Sequence, residues 1–514
     1  MQADVVVVGG GPCGLLTALL LGRQGIDTVL LEKHPQILDH PKAMSVSART
    51  AEIFRQIGLL DAVCGQPMAR EVSVVSQWLK GGLNGQVLGQ VALARPDKRF
   101  SPCQAFHCPQ PHVESVLRHA LANTPQVRCL YGATVQSFTQ DSDGVSVNHD
   151  INGTQAQITA RYLVGADGDQ SLVRRRLGIE RDGPGELGRF LSVYFKADFG
   201  DALDGRLAYL SNVLGEDWFE LFVAVNGKDQ WLMHHYLEGD ETANQYDEQT
   251  LVALIHKTSA LPDTPIDILS VNPWVMSPAV APRWQDKRVF LVGDAAARVS
   301  PAGGLGMNNG LQSAHNLAWK LAHVIDGHQT EALLQSYEAE RLPAAQFTYE
   351  NSSGNANEVF RIVMTALAGQ WDEAQVLIEQ SRRAGAGSGQ DFGMVYDSGA
   401  VLPDGSHAQW PDDPVNDYIE QARPGHRAPL FDLTVDGQAL NSIDLAGYRF
   451  VAWLGRDADV GVFKDICPHA TTLVEGRDFV ADSIDWKKRY GISSRGGVLV
   501  RPDGYVCARV AEQP

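Results

Sequence analysis

The chain has 514 residues, 44% of them apolar and 20% charged, which is enough for two or three hydrophobic cores. Its 43 basic and 61 acidic residues give a net charge of -18, which argues against nucleic acid or an anionic membrane surface as a partner. The longest apolar run, around residues 15–21, is far short of a bilayer span, and Asp4 stands where a leader would be basic.

In chain order, residues 4–8 form a short apolar run of the kind a buried parallel strand needs. Gly9, Gly11 and Gly14 follow, with Pro12 among them, directly before an apolar helical stretch over 15–21. Such glycines let backbone N–H groups approach a pyrophosphate, which then sits on the positive end of the helix. A second apolar stretch, 28–31, ends at Glu32 and Lys33, about where a carboxylate accepts both hydroxyls of an adenosine ribose. Strand, turn, helix and acid together point to a dinucleotide rather than to an ordinary glycine-rich turn.

Segments of about 70–105 and 180–280 read as alternating strands, at 72–78, 191–196, 218–223 and 230–236. Their period-two aromatic residues suit an antiparallel sheet with one face toward a pocket. On that alternation His234 and His235 face opposite sides, so at most one shares the pocket; His235 is the expected base or hydrogen-bond relay. Between these segments, Pro109 and Gln110 precede a helix over 113–122, Thr134 and Val135 lie on a strand, and a strand at 160–164 runs into Asp167-Gly168.

Residues 288–293 form another strand, leading into Asp294, whose carboxylate projects from the carboxyl edge of the sheet toward a ribityl hydroxyl. The loop that follows carries Pro301, Gly303, Gly304 and Gly306, and from Met307 onward Leu311, Ala314, Leu317, Ala318, Leu321 and Ala322 recur at helical spacing. N–H groups at Met307 and Asn308 then face the flavin N1 and O2 region, where negative charge accumulates on reduction. The two glycine-bearing motifs together imply one FAD held along its whole length.

Residues 340–380 are helical in pattern, 381–395 read as a flexible linker, and strands recur at 428–433, 450–454 and 497–506. Seven cysteines, at 13, 64, 103, 108, 129, 467 and 507, suit reduced thiols in the cytoplasm. Cys103 and Cys108 lie too far from the first motif for a flavin-linked dithiol. With His107 and His112 they fit no common zinc spacing, so no metal is expected.

Three stretches resemble the single-component FAD-dependent aromatic hydroxylases, the family of para-hydroxybenzoate, phenol and polyketide hydroxylases: Gly9 to Gly14 with Glu32, residues 166–174, and Gly293-Asp294 through Asn308. The resemblance covers essentially the first 350 residues. It implies an α/β fold: a Rossmann-like FAD-binding domain (1–70, 106–180, 281–380) with an inserted antiparallel β-sheet substrate domain (71–105, 181–280). A thioredoxin-like α/β domain without a paired Cys-x-x-Cys follows over 396–514, as a structural or homodimer contact. Residue by residue, it implies Gln110 on the flavin chain, Lys42 near the pyrophosphate in place of arginine, and the Val135 backbone against the adenine. It also implies Asp167 shared between FAD and the nicotinamide cofactor, Arg49 at a family arginine position, and Pro301 with its backbone beside the reacting ring. Ala297 and Ser300 depart from the family's histidine and proline.

The function implied is a monooxygenase in which NADH or NADPH visits transiently to reduce FAD. O2 then forms a C4a-hydroperoxyflavin that hydroxylates a phenolic or polyketide-type aromatic in a dry pocket. Baeyer–Villiger or epoxidising chemistry, and a non-catalytic flavin- or ligand-binding protein, are the alternatives. The absence of a Trp-x-Trp-x-Ile-Pro segment speaks against a halogenase.

Overall fold

The computed structural model describes residues 1–65, 68–93, 98–381, 387–482 and 486–512. Four valines, Val5–Val8, form the inner strand of a six-stranded sheet ordered Gln285–Asp286, Val289–Leu291, Tyr162–Gly165, Val5–Val8, Thr28–Glu32, Val127–Tyr131. All pairings are parallel except that of the Gln285–Asp286 edge. Helices on one face and an antiparallel meander (Ala133–Gln140, Val145–Ile151, Thr154–Ala160) near the other bury the inner strands from both sides, which is why they read as continuous apolar runs.

The first helix, Pro12–Arg23, packs along the long Gly306–Ile325 helix. Glycine makes this approach possible. A Cβ at Gly310 would lie 2.5 Å from Cys13 Sγ, and one at Gly293 would lie 2.9 Å from the same sulfur. The two sequence motifs, almost 300 residues apart, therefore meet at one atom.

A second sheet has seven strands, ordered Asp267–Met276, Gly188–Lys196, Gln230–Tyr236, Phe219–Ala224, Leu210–Leu214, Val75–Lys80, Gln86–Ala92. It is antiparallel except where Leu210–Leu214 lies parallel to Val75–Lys80. The strand expected at 72–78 begins only at Val75, because Arg70–Ser73 coil into a helical turn. One face carries Phe195, Phe222, Trp231 and Met233 under Leu251 and Ile255 of the Glu248–Ser259 helix. The opposite face carries Leu232, Val223 and Leu210 against Met44 and Tyr209, toward the first sheet.

The C-terminal region builds a four-stranded sheet, Thr471–Val474, Val451–Leu454, Gly497–Val500, Val506–Val510, beside a smaller three-stranded one. The stretch expected at 497–506 as strand is interrupted by a turn over 501–505. Part of the linker expected over 381–395 is not solvated chain: Ser388–Phe392 is a buried helical turn, while 382–386 lie outside the described residues. Its buried side chains pack against the Ala48–Gln56 and Gln335–Leu367 helices, so the composition of a linker there hides a wedge.

The C-terminal region docks through buried charges. Arg501 donates to Glu340 Oε1 and Oε2 at 2.7 and 2.8 Å and to Asp503 Oδ2 at 2.5 Å. Asp503 Oδ2 also accepts from Asn316 Nδ2 at 3.0 Å and Trp319 Nε1 at 3.1 Å, and Lys320 Nζ lies 2.7 Å from Glu340. Against the desolvation of burial, Arg501 and Lys320 hold the Glu340 carboxyl below the usual carboxylate range. No described helix is long and apolar enough to cross a membrane.

Candidate functional site

Gly9 has φ +107°, and a Cβ there would sit 2.3 Å from the Ala166 carbonyl oxygen; one at Gly14 would sit 1.9 Å from Gly9 O. These two glycines are required by the fold itself. Gly11 differs: nothing lies within 4 Å of its missing Cβ, so it faces an open cradle above the helix start, with Pro12 at the first helical position. Glu32 accepts the Gly10 amide at 2.5 Å and the His34 amide at 2.7 Å, which fixes the carboxylate at the rim of that cradle. Lys33 and Lys42 are exposed beside it. Val135 lies at a bulge, the register shifting between Val135 and Ser137, so the strand expected to meet adenine has locally unpaired backbone.

At the other end of the cleft, Asp294 follows the Val289–Leu291 strand with its side chain open to the cleft. Desolvation by the surrounding walls, and then the Asp169 carboxylate, push its pKa above the usual aspartate range against Arg181, Arg298 and Lys42. Asp167 accepts the Val173 amide through Oδ2 at 3.0 Å, and its buried Oδ1 has no partner among the described residues. Gln110 opens its helix, its amide bonded to Ala43 O at 2.8 Å and its side chain to Glu114 at 2.8 Å.

The glycine loop ends where Gly306 begins a 20-residue helix with no side-chain cap, so the amides at Gly306 and Met307 stay available. Gly304 packs on Ser45, from which a Cβ would be 2.8 Å. The Asn308 side chain, by contrast, is committed to the scaffold: Oδ1 accepts the Ser47 amide at 2.8 Å, and Nδ2 donates to Ser45 O and Gly304 O at 3.0 and 2.8 Å. Only its backbone can serve a flavin. Ser300, one of the departures, is buried and caps its own turn by accepting the Ala302 amide at 3.3 Å, while Pro301 is exposed. Ala297 is buried in a two-strand pairing with Val280.

Behind this loop, buried Asp391 accepts the Ala48 amide at 3.1 Å. Burial outweighs that bond and Ser47, pushing its pKa up to about 7. The folded state thus keeps a proton that the unfolded chain releases above about pH 4, so this group's contribution to stability falls as pH rises from about 4 to about 7. We expect Asp391→Asn to unfold at the wild-type temperature near pH 4 and to be more stable by about 2–4 kcal/mol at pH 8. Thermal melts across that range check it; parallel curves for the two proteins count against a protonated Asp391.

The cleft-facing wall of the seven-stranded sheet corrects one expectation. His235 shares the face of Trp231 and Met233; its Nδ1 is 2.6 Å from Glu220 Oε1 and its Nε2 2.8 Å from the Tyr246 hydroxyl. It belongs to a network under the covering helix and not to the pocket. His234 is the pocket-side residue, edge-on to Trp274 at 6.0 Å, with Nδ1 buried and unpartnered. Strand alternation separates the two histidines but does not reveal which face a helix covers.

Nothing local in the sequence marks His40, a loop residue that clamps two adjacent strands of the seven-stranded sheet: Nδ1 lies 2.8 Å from Ser270 Oγ and Nε2 3.1 Å from Ser192 Oγ. Burial and then Lys42 push its pKa down to about 4, and burial and then His40 do the same for His234, so both rings are neutral at pH 7. His107 stacks on buried Tyr209 at 3.5 Å, and Ser45 Oγ is 3.3 Å from His107 Nδ1, tying the loop segment to the sheet. No sequence period marks either pair; only the long insertions between the flavin segments hinted that distant loops close here. Arg49 bonds Glu52 at 2.6 Å and the Asp503 carbonyl, a structural role.

The residues fit FAD: an open glycine cradle, a fixed carboxylate, an orphaned Asp167 oxygen, Asp294 open to the cleft and an uncapped helix start. The family described as FAD binding domain matches residues 2–352. The chain is 31% identical to a tetracenomycin A2 monooxygenase-dioxygenase of Streptomyces glaucescens, over 100% of this chain and 94% of that protein. Among solved structures it resembles the flavin-dependent monooxygenase PieE in complex with FAD and substrate (TM-score 0.93, 25% identity, 100% of this chain and 96% of that one). It also resembles an aklavinone-11 hydroxylase with FAD and aklavinone (TM-score 0.86, 26% identity, 100% and 96%). The chain belongs to the class A FAD-dependent aromatic hydroxylases.

Proposed function

We propose that this flavoprotein monooxygenase hydroxylates a phenolic aromatic of polyketide type, held against the cleft-facing wall of the seven-stranded sheet. The observation that carries this reading is His234: a neutral imidazole with one buried, unpartnered nitrogen, set beside the flat face of Trp274 stacked on Phe190 at 4.5 Å. Flat apolar walls suit fused rings, and one unsatisfied polar group suits a ring hydroxyl. The relatives named for tetracenomycin and aklavinone chemistry support a multi-ring substrate.

Bound FAD, reduced by NAD(P)H and reoxidised by O2, supplies an electrophilic oxygen. Gly11 and the helix behind it would hold the pyrophosphate, Glu32 the ribose, Asp294 the ribityl chain, and the amides at Gly306 and Met307 the flavin edge. The Pro301–Gly304 loop would border the ring, and Tyr209, Leu232 and Met44 form an apolar wall that keeps water out of the cleft beside it. His234 accepts a hydrogen bond from the substrate hydroxyl and steadies the electron-rich ring, with His40 locking the neighbouring strands.

Purified protein is expected to consume NAD(P)H with a multi-ring phenol and to give a product heavier by one oxygen from labelled O2. His234→Leu is expected to raise KM about tenfold or more while leaving FAD affinity unchanged. No phenol-dependent oxygen incorporation, or an unmoved KM in the variant, would count against the assignment. Oxygen insertion into a ring in place of hydroxylation would move the chemistry to the Baeyer–Villiger class.

A further inference from the structure

We infer that Arg341 sets the reduction potential of the bound flavin by placing an uncompensated positive charge behind the helix that meets the ring. Arg341 is 1% exposed. Its guanidinium donates through Nε to Ser313 Oγ at 3.1 Å, through Nη1 to the Tyr396 hydroxyl at 2.9 Å, and through Nη2 to Asn309 O and Oδ1 at 3.3 and 2.8 Å. Every acceptor is neutral.

The other fully buried arginines, Arg501 and Arg427, are each paired with a carboxylate, as is nearby Arg49. No ion pair is formed by Arg341 among the described residues. A buried cation held only by neutral dipoles is costly, and a fold keeps one where an opposite charge arises nearby.

Geometry indicates where that charge arises. Asn309 and Ser313 are the fourth and eighth residues of the Gly306–Ile325 helix and both are buried, so Arg341 holds the helix between one and two turns behind its free amides, roughly 4–10 Å along the axis. A neutral isoalloxazine that accepts a hydride gains one negative charge unless a proton follows. At the helix start that charge meets the amides first and the guanidinium one to two turns behind them, in an interior that screens weakly. Arg341 is a positioning residue: it touches no reacting atom and acts through the Asn309 turn. This inference rests on the reading that places the flavin edge at Gly306 and Met307.

The test is the flavin midpoint potential of the purified holoenzyme, measured by spectroelectrochemistry. Arg341→Met is expected to lower the preference for reduced flavin about tenfold, about 30 mV for a two-electron couple. Arg341→Lys, which keeps the charge, is expected to stay near wild type. Asn309→Asp, which supplies the missing carboxylate without removing volume, is expected to shift the potential in the same direction as Arg341→Met and covers the case in which that variant does not fold. Potentials of Arg341→Met and Asn309→Asp within experimental error of wild type would overturn the inference. Asp294→Ala separates the two levels: FAD retained with unchanged affinity in that variant places the flavin elsewhere and removes the underlying reading. FAD lost there, with unmoved potentials in the other two, removes only the role of Arg341.

Discussion

Gly11→Val is expected to give a folded protein with the thermal midpoint of wild type and FAD affinity reduced at least a hundredfold, about 3 kcal/mol. The asymmetry comes from the three glycines of the first turn. A side chain at Gly11 meets no protein atom within 4 Å and intrudes only on the cradle, whereas one at Gly14 collides with Gly9 O at 1.9 Å. Gly14→Ala is therefore expected to lose fold and cofactor together. Flavin retention on gel filtration beside a thermal melt separates the two. Equal FAD affinity in wild type and Gly11→Val would show that no pyrophosphate lies over that turn.

Arg501→Met is expected to destabilise the chain by about 3–5 kcal/mol, because it leaves Glu340 and Asp503 as buried carboxylates without their shared cation. Restoring neutrality with Asp503→Asn on the same chain, which leaves Glu340 paired with Lys320, is expected to recover much of the loss, since the remaining buried pair then carries no uncompensated charge. Chemical denaturation of the three proteins checks this. A single variant as stable as wild type would mean that the C-terminal region is not anchored through Arg501.

What the sequence made legible follows from which constraints are local. The strand at Val5–Val8, the glycine turn, Glu32 and the Asp294 strand end announce themselves because a buried parallel strand and a backbone–phosphate approach each demand particular residues at fixed spacing. Period two sets His234 and His235 on opposite faces without saying which face the Glu248–Ser259 helix covers, so the pattern alone does not separate the two. The stretch near 388 has a linker's composition, yet its small residues are what allow Gly389 to pack where a Cβ would lie 2.2 Å from Pro414 O. His40 and Arg341 gave no signal at all, since their roles depend on partners 152 and 32 residues away.

The sulfur of Cys13, pressed between Gly293 and Gly310, has a chemical consequence for a catalyst that handles dioxygen. Burial, and then the Asp294 carboxylate, push its pKa well up, so it remains a neutral thiol at physiological pH. Peroxide attacks thiolates, and a monooxygenase that misfires releases peroxide within its own walls. A thiol held in its neutral form thus lets a compact, polarisable side chain fill the crossing of two helices while reacting slowly with peroxide.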